Sequence, residues 1–186
     1  YITINISSPN TTGLRNFLSE EILKKLFLKI NEIRQKSNFN KFFLLKVSPD
    51  LEDSDIPGII KIILENKIDG VILTNTTDKN RENLNGKNSD EKGGLSGKPI
   101  KDISTQFVRR FYKDLKGKIP IIGVGGVDSG ESAFEKIAAG ASAVQLYTGL
   151  IYKGPTIVKD IKKDLIKILK NKGFKNINEA IGSDFN

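Results

Sequence analysis

Cysteine and histidine are both missing from this chain of 186 residues. Without Cys there is no disulfide, no thiolate nucleophile and no Cys-ligated zinc or iron–sulfur site. Without His the side chain most often used for proton transfer near neutral pH is unavailable. Proton transfer must therefore use carboxylates, Lys, Tyr or activated hydroxyls, and redox chemistry must come from a bound cofactor. No metal site is expected. No signal-peptide-like or membrane-spanning apolar stretch is present either. An initiating Met is also lacking, and Tyr1-Ile2-Thr3-Ile4-Asn5-Ile6 already alternates like a strand. The length supports one domain with a core but falls short of the roughly 250 residues of a complete β/α-barrel. The expectation is a piece of a longer chain.

Basic residues outnumber acidic ones, 30 to 22, giving a formal charge of +8. Such an excess can signal nucleic-acid binding. Here Lys24, Lys25, Lys29, Lys162, Lys163 and Lys167 recur between apolar positions and acids, without interleaved aromatics. That is the pattern of solvated helix faces. No nucleic-acid partner is expected, while an anionic small ligand or membrane surface remains compatible with the charge.

Short apolar runs at 1–6, 42–47, 70–74, 119–124 and 143–147 read as strands. Their near-continuous hydrophobicity suits parallel strands covered by helices. Helical patterns fall at 20–36, 55–66, 103–116, 129–139 and 156–172, several ending at glycine: Gly117, Gly140 and Gly173. In the first, Ile22, Leu26, Ile30 and Ile33 form an apolar stripe. Asp128 and Glu131 have capping-box spacing before the fourth. Five strands alternating with five helices indicate a parallel α/β fold, either a doubly wound sheet or a barrel.

Ligands in such folds bind at the C-terminal strand ends. The first strand runs into Asn5-Ile6-Ser7-Ser8-Pro9-Asn10-Thr11-Thr12-Gly13-Leu14-Arg15. Its amides and hydroxyls suit a planar, uncharged imide-like ring, and equally a capped turn. Lys46 lies near the end of the second strand, on the face of Leu44 and opposite Leu45 and Val47. There it either faces a ligand or snorkels at a strand edge. The third strand leads into Thr74-Asn75-Thr76-Thr77 and a long loop over 78–98 containing Gly93-Gly94-Leu95-Ser96-Gly97. Loops this long are often functional. Gly123-Val124-Gly125-Gly126 and Gln145-Leu146-Tyr147-Thr148-Gly149 end the last two strands. Glycines on consecutive strand ends favour phosphate binding over simple turns.

Taken together, the Asn5–Thr11 run, Lys46, Thr74–Thr77, Gly93–Gly97 and the stretch IIGVGGVDSGESAFEKIAAGA from Ile121 to Ala141 resemble the dihydroorotate dehydrogenase family in order and spacing. The resemblance runs from residue 1 to about residue 182. It implies a TIM-type (β/α)8 barrel, here an incomplete C-terminal part with about five β/α units. The whole of residues 1–186 would then be the C-terminal part of a single FMN-binding barrel domain. The first strands and a helical quinone-binding segment would be absent. It implies FMN as cofactor and oxidation of dihydroorotate to orotate, with a base taking a proton from C5 while hydride leaves C6 for flavin N5.

The family's membrane-associated branch uses a Ser base where another branch has Cys. The matching residue is Ser8. Quinone is thus the expected electron acceptor. The expected location is peripheral, at the cytoplasmic membrane of a bacterium or the mitochondrial inner membrane of a eukaryote. By the same resemblance Thr11 is the hydroxyl partner of Ser8, and Asn5, Asn10, Asn75 and Thr76 hold substrate. Asn5, Lys46, Thr74, Gly97, Gly126, Tyr147 and Thr148 contact FMN, the last three near its phosphate. Thr12 and Ser48 depart from the family's usual Pro and Ala. Two other readings stand beside this one: a related flavin barrel acting on other pyrimidines, and a structural fragment that binds phosphate without turnover.

Overall fold

A computed structural model describes residues 1–37, 40–79 and 81–185. The element order is β1 (Ile2–Asn5), α1 (Glu20–Ser37), β2 (Phe43–Val47), α2 (Ile56–Glu65), β3 (Gly70–Leu73), α3 (Lys101–Leu115), β4 (Ile121–Val124), α4 (Gly130–Ala138), β5 (Ala143–Gln145), α5 (Thr148–Lys153), α6 (Ile157–Asn171) and α7 (Ile177–Ala180). Short 3-10 turns cover Leu14–Leu18, Lys98–Ile100 and Ser183–Phe185. All five expected strands are present, trimmed by one or two residues at their ends, and all five expected helices. The helical turn of α5 is an addition, because the fifth strand stops before Tyr147.

Two observations decide between sheet and barrel. The strands are all parallel and lie in sequential order β1-β2-β3-β4-β5, without the reversal that defines a doubly wound sheet. Furthermore, Gln145 at the end of β5 donates a 2.8 Å hydrogen bond to the phenol oxygen of Tyr1, just before β1. In a flat sheet at ~4.8 Å per strand those edges lie roughly 19 Å apart, beyond what a Tyr and a Gln side chain bridge. The sheet is therefore strongly curved, and the architecture is a partial TIM-type barrel.

The two faces differ as that geometry requires. On the convex face Leu45, Val47, Val71, Leu73 and Ile121 are buried against Leu23 and Phe27 of α1, Ile59 and Ile63 of α2, and Val108 and Phe111 of α3. On the concave face Asn5, Lys46, Ile72 and Ile122 follow one another across the register. Only Ile72 among these is fully buried. A second cluster, Val127, Ala133, Ile157 and Ile161, joins α4 to α6.

Two local expectations need correction. The core stripe of α1 is centred on Leu23 and Phe27, whereas Ile22 and Ile33 are exposed. Leu26 and Ile30 flank it, partly buried. Apolar residues all round this helix made the stripe's rotation ambiguous. The cap of α4 is Ser129, not Asp128: its hydroxyl accepts from Ser132 N–H at 3.2 Å while Ser132 Oγ accepts from Ser129 N–H at 2.9 Å. A Ser–Ser reciprocal box performs the same task as the usual Ser–Glu one.

Candidate functional site

The C-terminal ends of β1 and β3 are joined by side chains. Asn75 Nδ2 donates to Asn5 Oδ1 and to Ser7 Oγ, both at 3.0 Å. Its Oδ1 accepts from the Thr76 N–H at 2.8 Å. Each donor hydrogen of Asn75 is thereby engaged and its carboxamide is fixed. Asn5 Nδ2 has no partner among the described residues and its side chain is exposed, so it is free to donate. Ser7, fully buried, was not singled out from the sequence, although it lies in the same polar run.

Ser8 is half-buried, and its Oγ accepts from the Asn10 N–H at 3.2 Å, which leaves its own proton uncommitted. Thr11 is exposed, with no hydrogen bond to its hydroxyl among the described residues. The Ser8–Thr11 pairing is therefore not formed in this structure. The loop carrying both rests on the glycines after β3. A Cβ on Gly94 would lie 1.9 Å from Thr76 Oγ1 and 2.9 Å from Pro9 Cγ. Only glycine passes between those two side chains.

A cavity of about 740 Å³ opens at this rim, within the size range of small-molecule and cofactor sites. Lys46, Thr74, Gly97, Gly126, Tyr147 and Thr148 line it, six of the seven positions matched to the cofactor. Asn75 and Thr76 line it as well. Asn5 lies outside the lining but touches it through Asn75. Ser8, Asn10 and Thr11 stand outside the wall, on the neighbouring loop. Ser96 Oγ and Thr148 Oγ1 are 2.9 Å apart and tie the loop after β3 to the start of α5.

Lys46 has no hydrogen bond or ion pair among the described residues. Burial pushes its pKa below the usual lysine value. A cation that is partly desolvated and unneutralised favours an anionic or electron-rich ligand beside it. Gly126 has a local role too: its φ is +72° and a Cβ would come within 2.4 Å of Lys101 Cβ, so this turn presses directly on α3. Among the described residues no cluster of Asp and Glu could hold a metal ion, and no helix is long and apolar enough to cross a membrane.

Two buried charged features escaped the sequence reading. Arg15 Nη2 pairs with Asp50 at 2.7 Å, and the Asp50 side chain is only 4% exposed. Lys136 is fully buried, donating to Lys101 O at 3.0 Å and Thr105 Oγ1 at 2.5 Å. The clue to Lys136 was its place inside the apolar run of α4; Asp50 gave none beyond following a strand.

Comparison with known proteins agrees over the whole of this structure. The family model for dihydroorotate dehydrogenase matches residues 1–169. The mitochondrial dihydroorotate dehydrogenase (quinone) of Mus musculus is 46% identical over 186 residues, covering 99% of this chain and 47% of the mouse protein. The dihydroorotate dehydrogenase (quinone) of Natronomonas pharaonis is 45% identical over 184 residues, 99% of this chain and 51% of that protein. The chain thus spans about half the length of the curated relatives it matches. The crystal structure of the ligand-free enzyme from Eimeria tenella superposes with a TM-score of 0.92 at 37% identity, covering 100% of this chain and 56% of that one. The same enzyme in complex with ferulenol gives 0.93 at 36% identity.

Proposed function

The chain belongs to the dihydroorotate dehydrogenase family, and from that premise we propose that it carries the flavin and substrate rim of an enzyme that oxidises dihydroorotate to orotate and passes the electrons to a quinone. The observation that supports this best is the cavity itself. Lys46, a cation without a partner among the described residues, shares its wall with Asn75 and Thr76 on one side and with Gly126 and Thr148 on the other.

The residues present fit FMN. An electron-rich ring suits the unneutralised Lys46 ammonium, and a phosphate suits backbone N–H groups at the Gly126 turn and the start of α5. FMN held there would supply the acceptor for the hydride that leaves substrate C6.

Ser8 removes the C5 proton. Its Oγ must release its own proton as it accepts the new one, because a neutral hydroxyl is a weak base. Thr11, on the same loop, passes that proton towards solvent, which its exposure permits. This needs the loop to bring Thr11 onto Ser8. Asn75 holds Asn5 in place, so Asn5 Nδ2 meets the substrate already oriented. Asn10 and Thr76 complete the polar contacts. Lys46 would lie beside the flavin ring and favour negative charge there. The quinone would be met at a membrane surface, bacterial or mitochondrial, through parts of the protein outside these residues.

The test is optical. The full-length protein should purify yellow, with FMN in proportion to protein. Anaerobic dihydroorotate should bleach it, and a soluble quinone should restore the colour. A protein that never carries flavin, or whose flavin dihydroorotate leaves oxidised, would overturn the reading.

A further inference from the structure

Asp50 is a nearly buried carboxylate that reaches three of the strand ends at once. It sits three residues past β2. Its Oδ2 accepts from Arg15 Nη2 at 2.7 Å, and its Oδ1 accepts from the Thr77 hydroxyl. Its own N–H donates to Ser48 Oγ at 3.2 Å, so the Ser at position 48 steadies the turn. Thr77 is fully buried and exchanges both backbone hydrogen bonds with Leu95, at 3.2 and 2.6 Å. Arg15 closes the loop that carries Ser8 and also reaches the exposed Asp78 at 3.1 Å. Its Nε–H is buried without a partner among the described residues. The guanidinium is therefore held where Asp50 places it and not where all its donors are satisfied.

At the far end of the loop from Ser7 to Gly13, Leu14 N–H donates to Thr11 O at 3.2 Å and Leu14 packs partly buried against the core, while Arg15 supplies the polar tie to the other strand ends. Ser7 is tied by Asn75, whereas Thr11 and Thr12 are exposed. We propose that Arg15 is a positioning residue, clamping the far end of the Ser8 loop through Asp50 and Thr77 to the ends of β2 and β3. This rests on the reading of Ser8 as the base. The clamp sets the angle at which Ser8 meets C5, without itself touching substrate or flavin.

Arg15→Ala in the full-length, FMN-loaded protein tests it by rapid mixing with dihydroorotate. A misplacement near 1 Å costs on the order of 100-fold in rate, so the limiting flavin-reduction rate should fall by about 30- to 100-fold. Flavin content and half-saturating dihydroorotate should stay within about threefold, because substrate and flavin are held by other residues. Free guanidinium should restore part of the rate in Arg15→Ala and none in Ser8→Ala. Asp78→Asn, altering an exposed pair, should change the rate by less than about twofold. An Arg15→Ala protein that reduces its flavin at the parent rate overturns the proposal. So does one whose rate falls only in step with lost flavin and is not rescued.

If Arg15→Ala does not fold, Thr77→Val removes only the hydroxyl contact and should slow reduction with half-saturation unchanged; an unaltered rate counts against the clamp. Amide hydrogen exchange across residues 7–13 needs no turnover. Faster exchange there in either variant, with α2 and α3 unchanged, supports the clamp, and unchanged exchange refutes it. The clamp is thus judged separately from the reaction: dihydroorotate failing to bleach the parent protein would sink the functional reading alone.

Discussion

The two halves of the rim are built differently. After β1, β2 and β3 the site is made of side chains: Asn5 and Asn75 are hydrogen-bonded across 70 residues of sequence, and Lys46 stands between them in the register. After β4 and β5 tight glycine turns carry the wall, with the Tyr147 and Thr148 side chains beside them. Gly126 turns against Lys101, and a Cβ on Gly149 would fall 2.7 Å from the Val127 carbonyl. Side chains on the first half can be exchanged with the fold intact, so damage there should appear as lost chemistry. Glycines on the second half hold helices and turns together, so damage there should appear as lost stability and lost cofactor.

Four substitutions would break or sharpen this contrast. The largest effect belongs to Ser8→Ala in the first half, which should slow flavin reduction by about a thousandfold near neutral pH, with substrate still binding. Stopped-flow absorbance measures this, and an unchanged thermal midpoint would confirm that only chemistry was lost.

Next is Gly126→Ala in the second half. A residue other than glycine at φ +72°, with its Cβ against Lys101, should cost about 1–3 kcal/mol. The midpoint should drop and flavin should be released, read by calorimetry and by flavin fluorescence. A stable Gly126→Ala protein with full flavin would erase the distinction between the halves.

Lys46→Ala comes third. Losing a charge-assisted contact should weaken FMN by about 10- to 100-fold, measured by titrating the apoprotein, while the thermal midpoint of the apoprotein holds or rises.

The smallest effect concerns Lys136, which braces the backbone half from behind by holding the carbonyl of Lys101, the residue on which Gly126 presses. Burial lowers its pKa to about 7. A neutral amine has the two hydrogens needed for Lys101 O and Thr105 Oγ1. Between about pH 7 and the ordinary lysine value of 10.5 the unfolded chain binds a proton that the folded chain lacks, so stability should rise with pH through that window. The rise should be about 1–2 kcal/mol between pH 7 and 9, and Lys136→Met should flatten it. Denaturant melts at several pH values would show a slope that persists in Lys136→Met if this assignment is wrong.

The elements were legible because each carries its own period and its own stop. Gly117, Gly140 and Gly173 follow the ends of α3, α4 and α6 with positive φ, as the sequence suggested. Curvature was legible through the family resemblance and not from the period of any strand, since it rests on Tyr1 and Gln145 meeting across the sheet, a contact between residues 144 positions apart. Within the site, the residues lining the cavity were readable as polar interruptions of apolar strands. Their supports were not. Ser7, Asp50 and Thr77 are ordinary polar residues until folding places a partner against them, and the Ser8–Thr11 contact inferred by resemblance is not formed in this structure. The α1 stripe was misplaced because a helix with apolar residues on several sides gives its rotation only through its neighbours, here α2 and the convex face of the sheet.

The pairing of Thr77 with Leu95 means that the chain leaves the barrel wall and returns to it at a single neck. Asp78 and Gly94, beside the neck, still meet Arg15, Thr76 and Pro9. From Arg81, which donates to the Ser89 carbonyl at 3.0 Å, to Ser89 the chain is a side branch whose length is free: doubling a tethered loop costs only about 0.6 kcal/mol in closure entropy. Insertions or deletions that accumulate here leave the wall in register, and a foreign peptide spliced between Arg81 and Ser89 would travel with the protein without bending it.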